Sequence, residues 1–267
     1  MKNIQTTGAQ KGLLPNGLAD TLPYKAAAEA VTTEKLMLLF AAQGYQRVKP
    51  PLVEFEESFL EGPGQAVAED MFRMMDPVSQ RMMGVRPDIT PQVARIAATR
   101  LANAPRPLRL SYAGQVLRVR GTQLRPEREF SQIGVELIGA GELAADAEVI
   151  ILAGSALMAL GVEGLSIDLN LPTFVTAVCR QLGMDEVDIK AMRLALDRKD
   201  AASVAQIGGA AGPMLSKMLA AAGPVDIALE RLKACGVPET VDEIRTLIDV
   251  VELVKDGAPE LNLTVDA

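Results

Sequence analysis

Two short segments carry residue types able to grip a charged small molecule. The first is Arg86-Pro87-Asp88-Ile89-Thr90, at the end of a strand-like run and the start of a helical one. A carboxylate and a hydroxyl two residues apart can together hold an ammonium group. The same residues can instead serve the helix, with Thr90 as N-cap, Pro91 at the first helical position and Asp88 complementing the dipole. Spacing alone favours this second reading. The other segment runs from Arg118 to Glu136. By the two-residue period of a strand, Gln132, Gly134 and Glu136 share one face. Polar groups amid apolar neighbours need partners when buried, and the glycine leaves space, which suits a small polar ligand lying on a sheet. A solvated antiparallel face with Gly134 at a bulge fits the pattern equally well. Arg120, Arg125 and Arg128 in the intervening loop could clamp phosphates or carboxylates, or form an ordinary solvated loop. Gly62-Pro63-Gly64-Gln65 offers backbone amides to an anion but matches no phosphate-binding loop. Met71, Met74, Met75, Met82 and Met83 read as core filling.

These segments need elements to hold them. Tyr24 to Gln43 reads as an amphipathic helix with Ala27, Val31, Leu38 and Leu39 near one face and Gly44 as its C-terminal cap. Tyr45 to Val48 reads as a short strand. Met71–Met75 and Gln80–Val85, split by Asp76-Pro77-Val78-Ser79, give a hairpin signal. A helix follows from Thr90 to about Ala102. Leu108–Val119 and Glu129–Ile138 read as two long antiparallel strands, Leu143–Leu160 as a helix and Leu165–Asn170 as a strand. After Pro172 the texture changes to short helices punctuated by glycine and proline. The expected organisation is a core over 1–172, a helical insertion over 173–256, and a returning strand over 257–267. A strand at the last residues means that it either closes the sheet or is followed by more chain.

Composition narrows the function classes. The chain has 267 residues, 49% hydrophobic and 23% charged, a globular balance that can bury a sizeable core. A formal net charge of -7 argues against general nucleic-acid binding, which needs a positive field. The chain has no histidine, which removes His-based acid–base catalysis and His-ligated metal sites. The two cysteines, Cys179 and Cys235, are too far apart for a CxxC site and fit reduced thiols. The first residues lack the apolar stretch of a secretory signal, and no run reaches the length of a membrane span. A cytoplasmic protein is expected.

Read together, the two segments resemble the catalytic core of class II aminoacyl-tRNA synthetases, the histidyl enzyme in particular. They resemble more closely its non-charging paralogues, the regulatory subunits of short-form ATP phosphoribosyltransferase. The likeness spans most of residues 12–170. Gly17-Leu18-Ala19-Asp20-Thr21-Leu22-Pro23 looks like the entry to motif 1, and Arg86-Pro87-Asp88-Ile89-Thr90-Pro91-Gln92 like the family's Arg-Pro-acid-x-Thr segment. Gly114-Gln115-Val116-Leu117-Arg118 and Ser131-Gln132-Ile133-Gly134-Val135-Glu136-Leu137 look like motif 2 and the strand after it.

The resemblance implies an α+β fold: an antiparallel sheet flanked by helices, with a helical insertion. It implies that Asp88 and Thr90 hold the amino group of histidine and that Arg118 binds the carboxylate or α-phosphate side. Gln132 and Glu136 would contact the ligand's ammonium and imidazole. A charging enzyme's motif 2 reads Arg-x-Glu, and the Glu helps hold ATP; here the third position is Arg120, which opposes adenylate formation. Motif 3 and the histidine-signature loop would lie beyond residue 267. The implied role is non-catalytic: association with a short catalytic phosphoribosyltransferase subunit, response to L-histidine, self-dimerisation through the motif 1 region, and no resident cofactor or metal. The alternatives are a truncated catalytic core of a histidyl-tRNA synthetase and a stand-alone amino-acid-activating paralogue.

Overall fold

Glycine and proline set many of the element boundaries in the computed structural model, which describes residues 13–60, 69–171, 173–209, 212–235 and 241–266. The Gly62-Pro63-Gly64-Gln65 and Gly236-Val237-Pro238 segments lie outside the described residues. Helix α1 (Pro23–Ala42) starts at a proline, where a missing amide costs nothing, and its end is followed by Gly44 at φ +83°. Its buried side is Leu36, Met37 and Phe40. The stripe expected from spacing is mostly the uncovered one, since Val31 and Leu38 are 69% and 70% exposed. Two apolar stripes share this helix, and periodicity cannot say which has a neighbour.

The chain forms two compact units, Met1–Ala140 and Gly141–Ala267. In the first, α1 is followed by β1 (Gln46–Arg47), β2 (Val53–Phe55), α2 (Glu57–Leu60), β3 (Phe72–Met75), β4 (Met82–Val85), α3 (Thr90–Ala98), β5 (Leu108–Leu117) and β6 (Glu129–Ile138). One sheet has the order β1-β5-β6 and another β2-β4-β3. The long β5–β6 pair and the β3–β4 hairpin are antiparallel as expected. The sheet is nonetheless mixed, because β1 runs parallel to β5. A parallel neighbour needs a long crossover, and residues 48–107 provide one. The turn of the hairpin is closed by Asp76, whose carboxylate accepts from the Val78 and Ser79 amides. Met71 is buried, but Met74, Met75 and Met82 stand exposed on this hairpin, so core filling does not describe them.

Helix α3 is pinned from beneath. Glu54 accepts from Arg95 Nε at 2.8 Å and from Gln92 Nε2 at 2.9 Å, while a second Arg95 nitrogen completes a bidentate pair. On its other side Ile89 and Val93 pack with Leu110, Tyr112 and Val116 of β5.

The second unit comprises α4 (Leu143–Ala159), β7 (Ser166–Asn170), α5 (Phe174–Gln181), α6 (Glu186–Asp197), α7 (Ala201–Gly208), α8 (Gly212–Leu219), β8 (Gly223–Pro224), α9 (Val225–Cys235), α10 (Val241–Gly257) and β9 (Asn262–Asp266). The boundary read from texture at 172 falls inside this unit. The reason is pairing: β9 runs parallel to β7 over five residue pairs, and one apolar cluster joins residues of α4, α10 and the helices between. Asp185 and Asp200 cap α6 and α7 by accepting from the amides three residues on. Cys179 is buried in this core, and burial pushes its thiol above the usual range. No described helix is long and apolar enough to cross a membrane.

Met192 is fully buried at the centre of the second unit's core. Met192→Ala is expected to cost about 2–5 kcal/mol, read as a lowered urea midpoint at unchanged slope.

Candidate functional site

The two segments singled out by their chemistry meet on one face of the β5–β6 pair. Arg86 supports the first of them. Its guanidinium is buried against Gly114 and donates to the Gln115 carbonyl at 2.7 Å and the Pro50 carbonyl at 3.0 Å. Burial holds its pKa below the ordinary value. This arginine is therefore committed to fixing the loop that carries Asp88.

Asp88, rather than Thr90, accepts at the start of α3. Asp88 Oδ1 accepts from the Thr90 amide at 2.9 Å, while the residue before the helix, Ile89, makes no side-chain cap. The Thr90 hydroxyl is thereby free to turn to the sheet, where it lies 2.9 Å from the Tyr112 hydroxyl. The N-cap role expected of Thr90 is not the one it plays.

Gln132 joins the loop to β6. Its Oε1 accepts from the Ile89 amide at 2.9 Å, and its Nε2 donates to Asp88 Oδ1 at 2.9 Å. Both described hydrogen bonds to Asp88 fall on the same oxygen, which leaves Oδ2 for a ligand.

Tyr112 is the residue that strand periodicity did not single out. It pairs with Gly134 in the β5–β6 register, and a Cβ on Gly134 would collide with the phenol. The room left by the glycine is thus occupied by a neighbouring side chain rather than by a bulge or an open pocket. The phenol donates to Glu136 Oε1 at 3.2 Å. Burial is the main reason that the Tyr112 hydroxyl is pushed up to about 12. Burial likewise raises Glu136, opposed by hydrogen bonds from Thr90 and Tyr112 and reinforced by the charge of Asp88. The only sequence signal for Tyr112 was an aromatic facing a glycine, and seeing it requires the register.

Asp88, Thr90, Gln132 and Glu136 are therefore brought together, with Tyr112 as the link. Arg118 lies outside that hydrogen-bonded group. It follows β5 at the loop end of the sheet, with its Nε 3.4 Å from the Pro87 carbonyl and its guanidinium 5.2 Å from the Phe130 ring centre. Arg125 approaches the same ring at 4.9 Å. Arg118, Arg120, Arg125 and Thr122 line a cavity of about 230 Å³ there. Arg128 points elsewhere, donating to the Arg118 and Asn16 carbonyls, so it is a structural clamp. The arrangement offers oxygens for a cationic group at one end and guanidiniums for an anionic group at the other. Among the described residues no three or more His, Cys, Asp or Glu side chains gather within reach of one metal ion.

Two outcomes follow from this packing. Gly134→Ala forces its methyl into the Tyr112 ring and is expected to cost about 1–3 kcal/mol, part of which the added change Tyr112→Ala restores in urea denaturation. A carboxyl whose pKa rises on folding favours the folded state below its unfolded value and costs stability as pH climbs through the folded one. Glu136→Gln removes that cost, so this variant is expected to match or exceed the parent's stability at neutral pH, with the gain fading on acidification below the ordinary 4.5.

A family model for histidyl-tRNA synthetase matches residues 17–267. The ATP phosphoribosyltransferase regulatory subunit of Rhodospirillum centenum is 57% identical over 255 residues, covering 95% of this chain and 66% of the relative. That of Paramagnetospirillum magneticum is 55% identical over 262 residues, covering 98% of this chain and 69% of the relative. The chain thus spans about two thirds of the length of these curated relatives. A crystal structure described as an ATP phosphoribosyltransferase regulatory subunit/histidyl-tRNA synthetase from Bacillus halodurans matches with a TM-score of 0.84 at 24% identity, over 96% of this chain and 67% of that one. At that identity the structural likeness speaks for the α+β fold of class II synthetases alone. Identity above one half over nearly its whole length carries the assignment further: the chain belongs to the histidyl-tRNA-synthetase-like family and, within it, to the ATP phosphoribosyltransferase regulatory subunits.

Proposed function

We propose that this chain is a non-catalytic, cytoplasmic subunit that binds a short-form ATP phosphoribosyltransferase and makes that enzyme, which performs the first step of histidine biosynthesis, responsive to L-histidine. The observation that carries the reading is the convergence of Asp88, Thr90 and Glu136 in one half-buried group while Arg120 stands beside Arg118. Two carboxylates and a hydroxyl suit a ligand with an ammonium and a ring N–H. In this reading Gln132 contributes chiefly by positioning Asp88, and Arg118 receives the ligand's carboxylate. The acidic chain is a poor partner for tRNA. Regulation is then a coupling free energy between histidine occupancy and the active state of the catalytic partner.

A second reading, the catalytic core of a histidyl-tRNA synthetase, is favoured by the family match over residues 17–267. Arg120 opposes it, because a guanidinium repels the metal that accompanies ATP.

The exposed stripe on α1 also has a place. Tyr24, Ala27, Val31 and Leu38 lie along one side of the helix and are solvent-exposed. Such a stripe suits an isologous contact with a second copy.

The test is calorimetric titration of L-histidine into the chain, alone and with a short-form catalytic subunit. Binding is expected, and Glu136→Ala should weaken it roughly tenfold or more, the scale of one lost charged hydrogen bond. Undiminished binding in both Asp88→Ala and Glu136→Ala would remove the synthetase-like pocket from the account. ATP–pyrophosphate exchange with histidine would move the assignment to the second reading. Leu38→Glu should shift the self-association equilibrium toward monomer in analytical ultracentrifugation, and an unchanged dimer would place that contact elsewhere.

A further inference from the structure

The side of α3 that Glu54 pins also borders a second cavity, of about 500 Å³. Val53, Phe55 and Met83 of the β2–β4 pair and Ile96 of α3 give it half-buried apolar walls. Its charged lining is three cations, Lys49, Arg95 and Arg100, and one carboxylate, Glu54. Glu54 and Arg95 neutralise each other in the pair that holds α3. Lys49 and Arg100 are exposed, and neither enters a hydrogen bond or ion pair among the described residues. The cavity therefore carries a surplus of two positive charges beside an apolar surface. A cation would be repelled there, and a neutral apolar molecule would leave the charges unused. The complement is an anion with a flat apolar body. The volume falls within the usual range of small-molecule pockets, about 300–1,000 Å³.

We propose that this cavity is a second small-molecule site, for an aromatic carboxylate, with Lys49 and Arg100 binding the anionic group and the apolar walls receiving the ring. The walls are formed before any ligand arrives. Pro50 and Pro51 border the cavity, and their carbonyls accept from Arg86 Nη1 at 3.0 Å and from Gln92 Nε2 at 2.8 Å. The Arg81 guanidinium stacks on the Phe55 ring at 3.7 Å. A ligand entering such a site orders few side chains beyond Lys49 and Arg100, which keeps the cost of binding low. The site shares its supports with the group around Asp88, since Arg86 and α3 brace both. It does not depend on what that first group binds.

The probe is indole-3-acetate, followed by fluorescence anisotropy. The chain has no tryptophan, so indole emission reports the probe. Saturable binding is expected, tighter by at least about threefold than that of the neutral analogue indole-3-ethanol, the scale of exposed ion pairs. The double variant Lys49→Glu/Arg100→Glu should weaken indole-3-acetate about fivefold or more and leave indole-3-ethanol within about twofold. Both side chains are exposed, and an unchanged urea midpoint checks that the fold is kept. Lys190→Glu/Arg193→Glu, the same charge change on α6, should leave both affinities as they are. Absence of saturable binding overturns the site, as does equal affinity for the two indoles or an equal loss in the two double variants. Asp88→Ala is expected to retain the probe, so failure of the histidine reading and failure of this site register separately.

Discussion

Ten consecutive cross-strand pairs, from Leu108 opposite Ile138 to Leu117 opposite Glu129, hold β5 and β6 in one register. Every contact at the site follows from that register. It sets Tyr112 against Gly134 and Gly114 against Gln132, so both glycines fall where another side chain crosses the sheet. Tyr112 crosses at Gly134, and the Arg86 guanidinium crosses at Gly114. Neither glycine has a positive φ, so each is required for close approach rather than for its backbone freedom. A slip of one residue would turn Gln132 and Glu136 to the opposite face and leave the Asp88 loop without its link to β6.

That loop gathers negative charge in a place with little water. Burial makes Glu136 harder to ionise, and the charge of Asp88 adds to that cost. The donors that offset this come from neutral groups: the Thr90 amide, the Gln132 amide and the Tyr112 phenol. No cationic side chain bonds either carboxylate among the described residues. The Arg86 and Arg95 guanidiniums are committed elsewhere, Arg86 to two carbonyls and Arg95 to Glu54. The cationic ligand proposed for this site would relieve a repulsion the folded chain already carries.

Much of this was legible in the sequence. Strands 108–117 and 129–138, the hairpin around Asp76 and the shared face of Gln132, Gly134 and Glu136 follow from period and turn chemistry. What was missed depends on neighbours distant in the chain. Tyr112 becomes part of the site only once its partner across the sheet is Gly134. Thr90 looked like a helix cap because Thr-Pro is a common helix start, yet Asp88 accepts from its amide and its hydroxyl turns to the sheet. In α1, Ala27, Val31 and Leu38 are as well spaced as Leu36, Met37 and Phe40, and only the second set is buried among the described residues. The boundary at 172 was drawn from composition, whereas pairing of β7 with β9 assigns residues 141–171 to the helical unit.

The loop between β5 and β6 is fastened independently of the group around Asp88 and Glu136. Its ends are fastened by backbone hydrogen bonds from Arg118 to Arg128, Val119 to Asp70 and Arg128 to Gly17. Inside those fastenings Arg118, Arg120 and Arg125 surround a small cavity. A triphosphate reaches such a site with a divalent metal, and that metal takes oxygen ligands. The described lining carries one carboxylate, Glu127, against three guanidiniums. Such a cavity can neutralise an anion but is poorly suited to a metal bridged to it. The hydrogen-bonded group of Asp88, Gln132, Tyr112 and Glu136 depends on the β5–β6 register, and none of these residues lies in that loop. Under the proposed histidine-sensing role, exchange of a loop residue at position 120 removes conversion of the ligand while leaving the residues proposed to recognise it in place.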